Sequence, residues 1–324
     1  MKSLKGLILV LAVIISVFAF TACSSVPEEA NNDIEKVDEQ LTERYNPITV
    51  KHELGEATVK KRPEKIVVFD YGILDAIDKI GEDIAGLPKA TLPSYLEKFT
   101  ADNYADLGTL KEPNFEKIYE LGPDLIIISG RQAALYEEFT KIAPTLYLPL
   151  DNGDYMNSFR YNMDVIGQIF NKKEEMSEEV AKIESAISEL NKKSSALDKN
   201  ALFVMANDGN LSVYGINSRF GMLHEEFGLK PVDEKIESGT HGQKISYEYI
   251  VEKDPDYLFV MDRSQVAGGE ISASQVMEND LIKNTKAYKN GSIIYLDSHV
   301  WYVSSGGLNG TMKMIEEVQK AIEE

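Results

Sequence analysis

The sequence predicts an α/β fold: two Rossmann-like lobes joined by a single long α-helix. Three observations carry this prediction. Short runs that are apolar at nearly every position recur in both halves, at 66–69 (IVVF) and 125–128 (LIII), then at 201–205 (ALFVM), 257–260 (YLFV) and 293–296 (IIYL). Strands buried on both faces have this composition, and they belong to parallel sheets covered by helices. The one long stretch of helical periodicity, 155–193, falls between the two groups. A unit of helix, Pro-Asp and strand also occurs once per half. Glu116 stands seven residues before Pro123-Asp124, and Glu248 seven before Pro255-Asp256. Matched spacing in both halves implies two lobes of related design.

Taken in chain order, residues 1–22 read as a signal peptide. Lys2 and Lys5 precede an almost unbroken apolar run at 7–20, too short for a bilayer-spanning helix of about 20 residues. Phe20-Thr21-Ala22-Cys23 resembles a bacterial lipobox, with Phe20 where leucine is usual, so Cys23 is the expected lipid acceptor. It is also the only cysteine, which excludes an internal disulfide. Residues 23–46 are polar and acidic and read as a lipidated start followed by a flexible tether. An N-terminal α/β lobe is expected over 47–154, with a strand at 66–69 and a helix opening at Gly72. The connecting helix is expected over 155–195, where Met163, Ile166, Phe170, Met176, Val180, Ile183, Ile187 and Leu190 recur at spacings near three to four and no proline intervenes. A coiled-coil dimer is the competing reading, but the apolar stripe is short and irregular. A C-terminal α/β lobe is expected over 196–324, ending in a helix from Leu308.

The formal net charge is −19, and removal of residues 1–22, with two lysines and no acid, takes it to −21. Such acidity argues against nucleic acid and anionic membrane surfaces as partners. It also repels an anionic ligand unless cations are gathered locally. Catalysis is not expected. The chain has no Gly-x-Ser-x-Gly elbow, no His-Glu-x-x-His and no glycine-rich phosphate loop, so ATP hydrolysis must belong to a partner. Its four histidines, His52, His224, His241 and His299, form no closely spaced pair, which weakens the case for direct capture of zinc or manganese.

Arginine is scarce: Arg44, Arg62, Arg131, Arg160, Arg219 and Arg263 stand against 28 lysines. Arg131 follows a buried strand and Ser-Gly, and Arg263 follows the strand ending Val260-Met261-Asp262. Arg219 sits in a Gly-Ile-Asn-Ser turn before a helix. In open α/β sheets the carboxyl ends of strands face the ligand crevice. Surface arginines are ordinarily explained by salt bridges worth roughly 0–1 kcal/mol. Three at strand ends or helix starts of an acidic chain favour a convergent anion site, because guanidinium stays charged, forks toward oxygens and stacks on rings.

The signal and lipobox, the Pro-Asp repeats and the connecting helix resemble the helical-backbone, class III substrate-binding proteins of iron-siderophore ABC importers. The resemblance runs from about Thr49 to Ile322. Phe69-Asp70-Tyr71-Gly72, Ser129-Gly130-Arg131-Gln132, Asn217-Ser218-Arg219-Phe220-Gly221 and Thr240-His241-Gly242 are most similar to the subgroup that binds catecholate siderophores such as petrobactin. It implies a monomer, anchored outside the cytoplasmic membrane, that captures an anionic ferric siderophore in a cleft between its lobes and needs no cofactor. Glu116 and Glu248 would dock against arginines of the permease, whose ATPase drives import, although either alone reads as a solvated helix glutamate. Lys89 occupies a position where the family often has a basic pocket residue; otherwise it is a solvated loop lysine. His241 and Tyr302 would complete the iron coordination of a siderophore supplying four donors, or else hydrogen-bond and pack. Trp301 lines the cleft or belongs to the core, and Tyr71 is a further pocket candidate. Haem, cobalamin or a metal ion on the same fold is the alternative; haem needs no arginine cluster and cobalamin lacks the charge to answer one.

Overall fold

The computed structural model describes residues 45–239 and 241–323. The signal segment, Cys23 and nearly all of the tether lie outside them. The described chain opens with an antiparallel hairpin of β1 (Ile48–His52) and β2 (Gly55–Val59), which the apolar-run criterion does not detect. The first lobe is then built on β3 (Ile66–Val68), β4 (Gly86–Leu87), β5 (Ala105–Asp106), β6 (Leu125–Ile128) and β7 (Thr145–Tyr147). These lie in the order β5-β4-β3-β6-β7, every pair parallel. Both β3 and β6 are buried at every position, as their composition requires.

The second lobe carries β8 (Asn200–Asn207), β9 (Asn210–Tyr214), β10 (Lys230–Pro231), β11 (Gln243–Ile245), β12 (Tyr257–Asp262) and β13 (Ile293–Leu296). The sheet order is β11-β9-β8-β12-β13, with β10 beside the start of β8. Here β8, β12 and β13 are parallel, whereas β9 and β11 run antiparallel at one edge. The hairpin between β8 and β9 turns on Asp208 and Gly209, both at positive φ (49° and 83°). Two successive left-handed residues give the twist that a two-residue hairpin needs, and Asp-Gly supplies them at little strain.

Among the helices of the described residues are α1 (Tyr71–Lys79), α2 (Phe115–Leu121), α3 (Tyr155–Ile169), α4 (Lys173–Ser195), α5 (Tyr247–Lys253) and α6 (Leu308–Glu323), the longer ones that frame the lobes and their connection. The lobes are joined by a long helical connector, as expected, but it is not continuous. It breaks between α3 and α4 at Asn171, which adopts a left-handed conformation (φ 56°), and Lys172 N–H bonds back to the Gly167 carbonyl at 2.7 Å. Gly167 permits the fold-back, since a Cβ there would lie 3.1 Å from Lys173 Cα and Met176 Cβ. The absence of proline does not guarantee continuity when an Asn–Lys pair can end a turn this way. Helix α6 then packs against both α4 and α1, so the end of the chain returns to the first lobe.

The Pro-Asp repeat has a shared structural cause. Each copy ends a seven-residue helix in a left-handed residue, Gly122 after α2 and Asp254 after α5, and proline follows. The aspartate then ties the start of its strand to the neighbouring one. Asp124 accepts from Lys65 N–H at 3.0 Å ahead of β3, and Asp256 from Asn200 N–H at 3.0 Å at β8.

Candidate functional site

A cavity of about 970 Å³ opens beside the carboxyl ends of the central strands and is lined from both lobes. Arg131 is delivered to it by the turn after β6. There the Ser129 hydroxyl donates to Asp70 Oδ2 at 2.7 Å, and the Gln132 side chain accepts the Ser129 N–H at 3.2 Å. Arg263 follows β12 directly, with its N–H bonded to the Ala206 carbonyl of adjacent β8 at 2.9 Å. Arg219 stands after Asn217, a left-handed residue (φ 53°), in a turn closed by the Ser218 hydroxyl on the Gly215 carbonyl at 2.5 Å. Tyr302 lies in a wide helical turn, His299–Val303, between β13 and α6.

The three arginines meet on Tyr302. Arg131 and Arg219 both donate to its carbonyl, at 2.5 and 2.6 Å. Arg263 donates from Nε to its hydroxyl at 3.1 Å and from a terminal nitrogen to Asn207 Oδ1 at 2.8 Å. Their guanidinium carbons lie 5.7, 4.0 and 5.8 Å from the Tyr302 ring centroid, for Arg131, Arg219 and Arg263 in turn. Arg62 and Arg160 are paired with Glu82 and Glu184, but among the described residues none of these three has a carboxylate partner. Burial pushes Arg219 below its ordinary pKa, and the charge of Arg131 acts in the same direction. Burial alone would raise the Tyr302 phenol, yet the Arg263 bond and the three positive charges outweigh it and bring it below the usual value. Such a surface offers several desolvated donors to an anion, with rings to stack against.

The structure brings Arg131, Arg219, Arg263, Tyr302 and His241 to one cavity, with His241 exposed at its edge. Three expected pocket residues are not there. Trp301 is fully buried, packed on Phe203 and Phe227, with Nε1 donating to Glu317 at 2.6 Å. Tyr71 is fully buried as well, its hydroxyl held by the Pro88 carbonyl at 2.9 Å. Lys89 turns its ammonium to the carbonyls of Thr100 and Ala101, at 3.0 and 2.7 Å, and does not line the cavity. Conversely, Lys111 and Lys244 line it from opposite lobes, along with Asn207 and Tyr214. None of these is singled out by the sequence; the Asp208-Gly209 pair that closes the β8–β9 hairpin is the local signal from which Asn207 could have been found. Glu116 and Glu248 are exposed in the first turns of α2 and α5, and Glu248 directly follows the cavity-lining Ser246 and Tyr247.

The family model described as periplasmic binding protein matches residues 66–300. The chain belongs to the periplasmic binding protein family. Petrobactin-binding protein YclQ of Bacillus subtilis is 52% identical over 280 residues, covering 85% of this chain and 88% of that protein. Its crystal structure superposes with a TM-score of 0.84, over 86% of this chain and 99% of that one. Ferric-anguibactin-binding protein FatB of Vibrio anguillarum is 35% identical, covering 85% and 87% of the two chains. The crystal structure of the catecholate-siderophore binding protein VctP of Vibrio cholerae, 35% identical, matches with a TM-score of 0.79 over 85% and 99%. As a member of a binding-protein family the chain is not an enzyme. Among the described residues no three His, Cys, Asp or Glu gather where they could hold a metal ion directly.

Proposed function

We propose that this periplasmic binding protein captures an anionic ferric siderophore of catecholate type, petrobactin-like, and delivers it to an ABC importer. The observation that carries this reading is the convergence of three arginines, unpaired with carboxylates, on Tyr302. A ferric tris-bidentate complex is a bulky multiply charged anion with outward-facing oxygens, and it answers such a surface. At about 6 Å and an effective dielectric near 20, each cation contributes on the order of 3 kcal/mol of attraction before desolvation. The names of YclQ and VctP support the ligand class. Where the siderophore leaves iron positions open, His241 and Tyr302 are the side chains to fill them.

Delivery would use Glu116 and Glu248, exposed at matched places on the two lobes, against cations of the permease. Cys23 would carry the lipid that holds the protein on the outer face of the cytoplasmic membrane. One acyl chain binds only marginally, so a two-chain anchor is expected there.

The test is a calorimetric titration of the purified protein with ferric petrobactin, ferric enterobactin, a ferric hydroxamate, haem and cobalamin. Tight binding of a ferric catecholate, weakened about tenfold or more by Arg131→Ala or Arg263→Ala, is the expected result. Silence toward both catecholates sinks the assignment.

A further inference from the structure

Tyr302 is the meeting point of the arginines, and the segment around it is fastened from the opposite lobe. Six residues after it begins α6, whose first turn lies against α1 of the first lobe. There Asp75 has no exposed surface, and both of its oxygens accept from that turn. Asn309 Nδ2 donates to Oδ1 at 2.7 Å, Gly310 N–H donates to Oδ2 at 2.8 Å, and the Tyr95 hydroxyl adds a contact at 3.5 Å. The approach is close. A Cβ on Gly307 would lie 2.3 Å from Asp75 Oδ2, and one on Gly72 would lie 2.7 Å from the Ser305 carbonyl oxygen. Tyr155, a cavity residue, adds its hydroxyl 3.3 Å from Thr311 Oγ1. Val303 and Ser305, between Tyr302 and this anchorage, are themselves part of the cavity wall.

Capping a helix N-terminus ordinarily takes a Ser, Thr, Asn or Asp at the helix's own N-cap position, next to it in sequence. A fully buried carboxylate supplied from the other lobe is a costlier arrangement, and what it adds is a fixed spacing between lobes. We infer that Asp75 is a positioning residue for the ligand site, holding residues 302–305 in register with Arg131 of its own lobe so that the Tyr302 ring faces all three guanidinium groups. The inference rests on the reading of this cavity as a ferric-siderophore site, and it assigns that site a residue that touches no ligand.

The test compares Asp75→Ala, Asp75→Asn and Asn309→Ala with wild type as purified full chains, each paired with the same protein carrying Tyr302→Phe. Subtracting members of a pair at the tyrosinate absorption band isolates the ionisation of Tyr302. With Asp75→Ala, that ionisation is expected to move up as the ring leaves the guanidinium groups. Affinity for ferric petrobactin is expected to fall about 10- to 100-fold, with a smaller loss for Asn309→Ala and unchanged far-ultraviolet circular dichroism. If both the ionisation and the affinity keep their wild-type values in folded variants, Asp75 is a helix cap alone and the inference is overturned. If wild type does not bind ferric petrobactin but the Tyr302 shift persists, the ligand reading fails and the positioning role stands. Should Asp75→Ala not fold, Asn309→Ala and Asp75→Asn decide by the same two readouts.

Discussion

Replacing Arg219 by Met separates a ligand cation from a structural one, because the two roles predict opposite balances of stability and affinity. The Arg219 guanidinium carbon lies 4.0 Å from the Tyr302 centroid, and those of Arg131 and Arg263 lie 5.7 and 5.8 Å from it. Arg219 is therefore within about 10 Å of each neighbour. At an effective dielectric near 20, like charges at that distance repel by about 1.7 kcal/mol, reduced to about 1 kcal/mol by physiological salt. Against some 2 kcal/mol of repulsion relieved, the variant loses a hydrogen bond and a cation–π contact worth about 1–2 kcal/mol together. Met keeps most of the alkyl packing. The urea unfolding free energy, measured without ligand, should therefore stay within about 1 kcal/mol of wild type. Affinity for the ferric catecholate should fall by about 2–5 kcal/mol, or roughly 30- to 5,000-fold. Added salt should stabilise wild type more than the variant. A loss of more than about 2 kcal/mol of stability with unchanged affinity would refute the reasoning, since it would make Arg219 a structural cation.

Three further outcomes are expected from other parts of the molecule. Burial raises the Asp75 carboxyl to about 6, so the folded state holds a proton that the unfolded chain, near 3.9, has released. Its contribution to stability is full below about pH 4 and falls by about 3 kcal/mol as pH rises through 6; urea titrations of wild type against Asp75→Asn across that window should show this slope only in wild type. Trp301→Phe removes the donor to Glu317, whose carboxyl burial already pushes up, and should cost about 2–4 kcal/mol of unfolding free energy while leaving ligand affinity within about threefold. Glu116→Ala combined with Glu248→Ala should leave the calorimetric dissociation constant within about twofold and cut cellular uptake of radiolabelled ferric siderophore by about tenfold or more; unchanged uptake would remove both residues from transporter docking.

The fold was legible wherever burial is two-sided. The runs LIII at 125–128 and YLFV at 257–260 are strands because helices cover both faces, and a residue-by-residue apolar count detects that. The hairpin of β1 and β2 escaped because its burial alternates, with exposed or half-buried positions around Val50, Ala57 and Val59. Arg131 and Arg263 were legible because topology alone sends residues after parallel strands to the crevice, whereas Arg219, in a turn beyond antiparallel β9, was legible from its place before a helix. Lys89 also follows a strand, β4, but Pro88 and the carbonyls of Thr100 and Ala101 take its ammonium elsewhere, which depends on a loop that no pattern encodes. Trp301 misled by adjacency: Tyr302 faces the cavity, and its neighbour on the same helical turn faces the core. Asp75 was invisible, since a carboxylate amid Ile73, Leu74, Ala76 and Ile77 reads as the polar side of a helix until its partner 234 residues away is known.

On the proposed reading, the same geometry explains how an acidic protein holds an anion. The net charge of −21 after processing opposes approach of a multiply charged complex, so the attraction must be local and must not be cancelled by the protein's own carboxylates. Asp70, the one acid among the described residues that line the cavity, is spent on the Ser129 hydroxyl and the Ile73 N–H. The guanidinium groups instead rest on a carbonyl, a phenol and an amide, neutral acceptors that an anionic oxygen readily outcompetes. Arg131 belongs to the first lobe and Arg219 to the second, yet both bond the Tyr302 carbonyl. An anion that engages both therefore adds a charged bridge between lobes where a neutral one stood. On that reading, its binding energy is partly a lobe-to-lobe interaction.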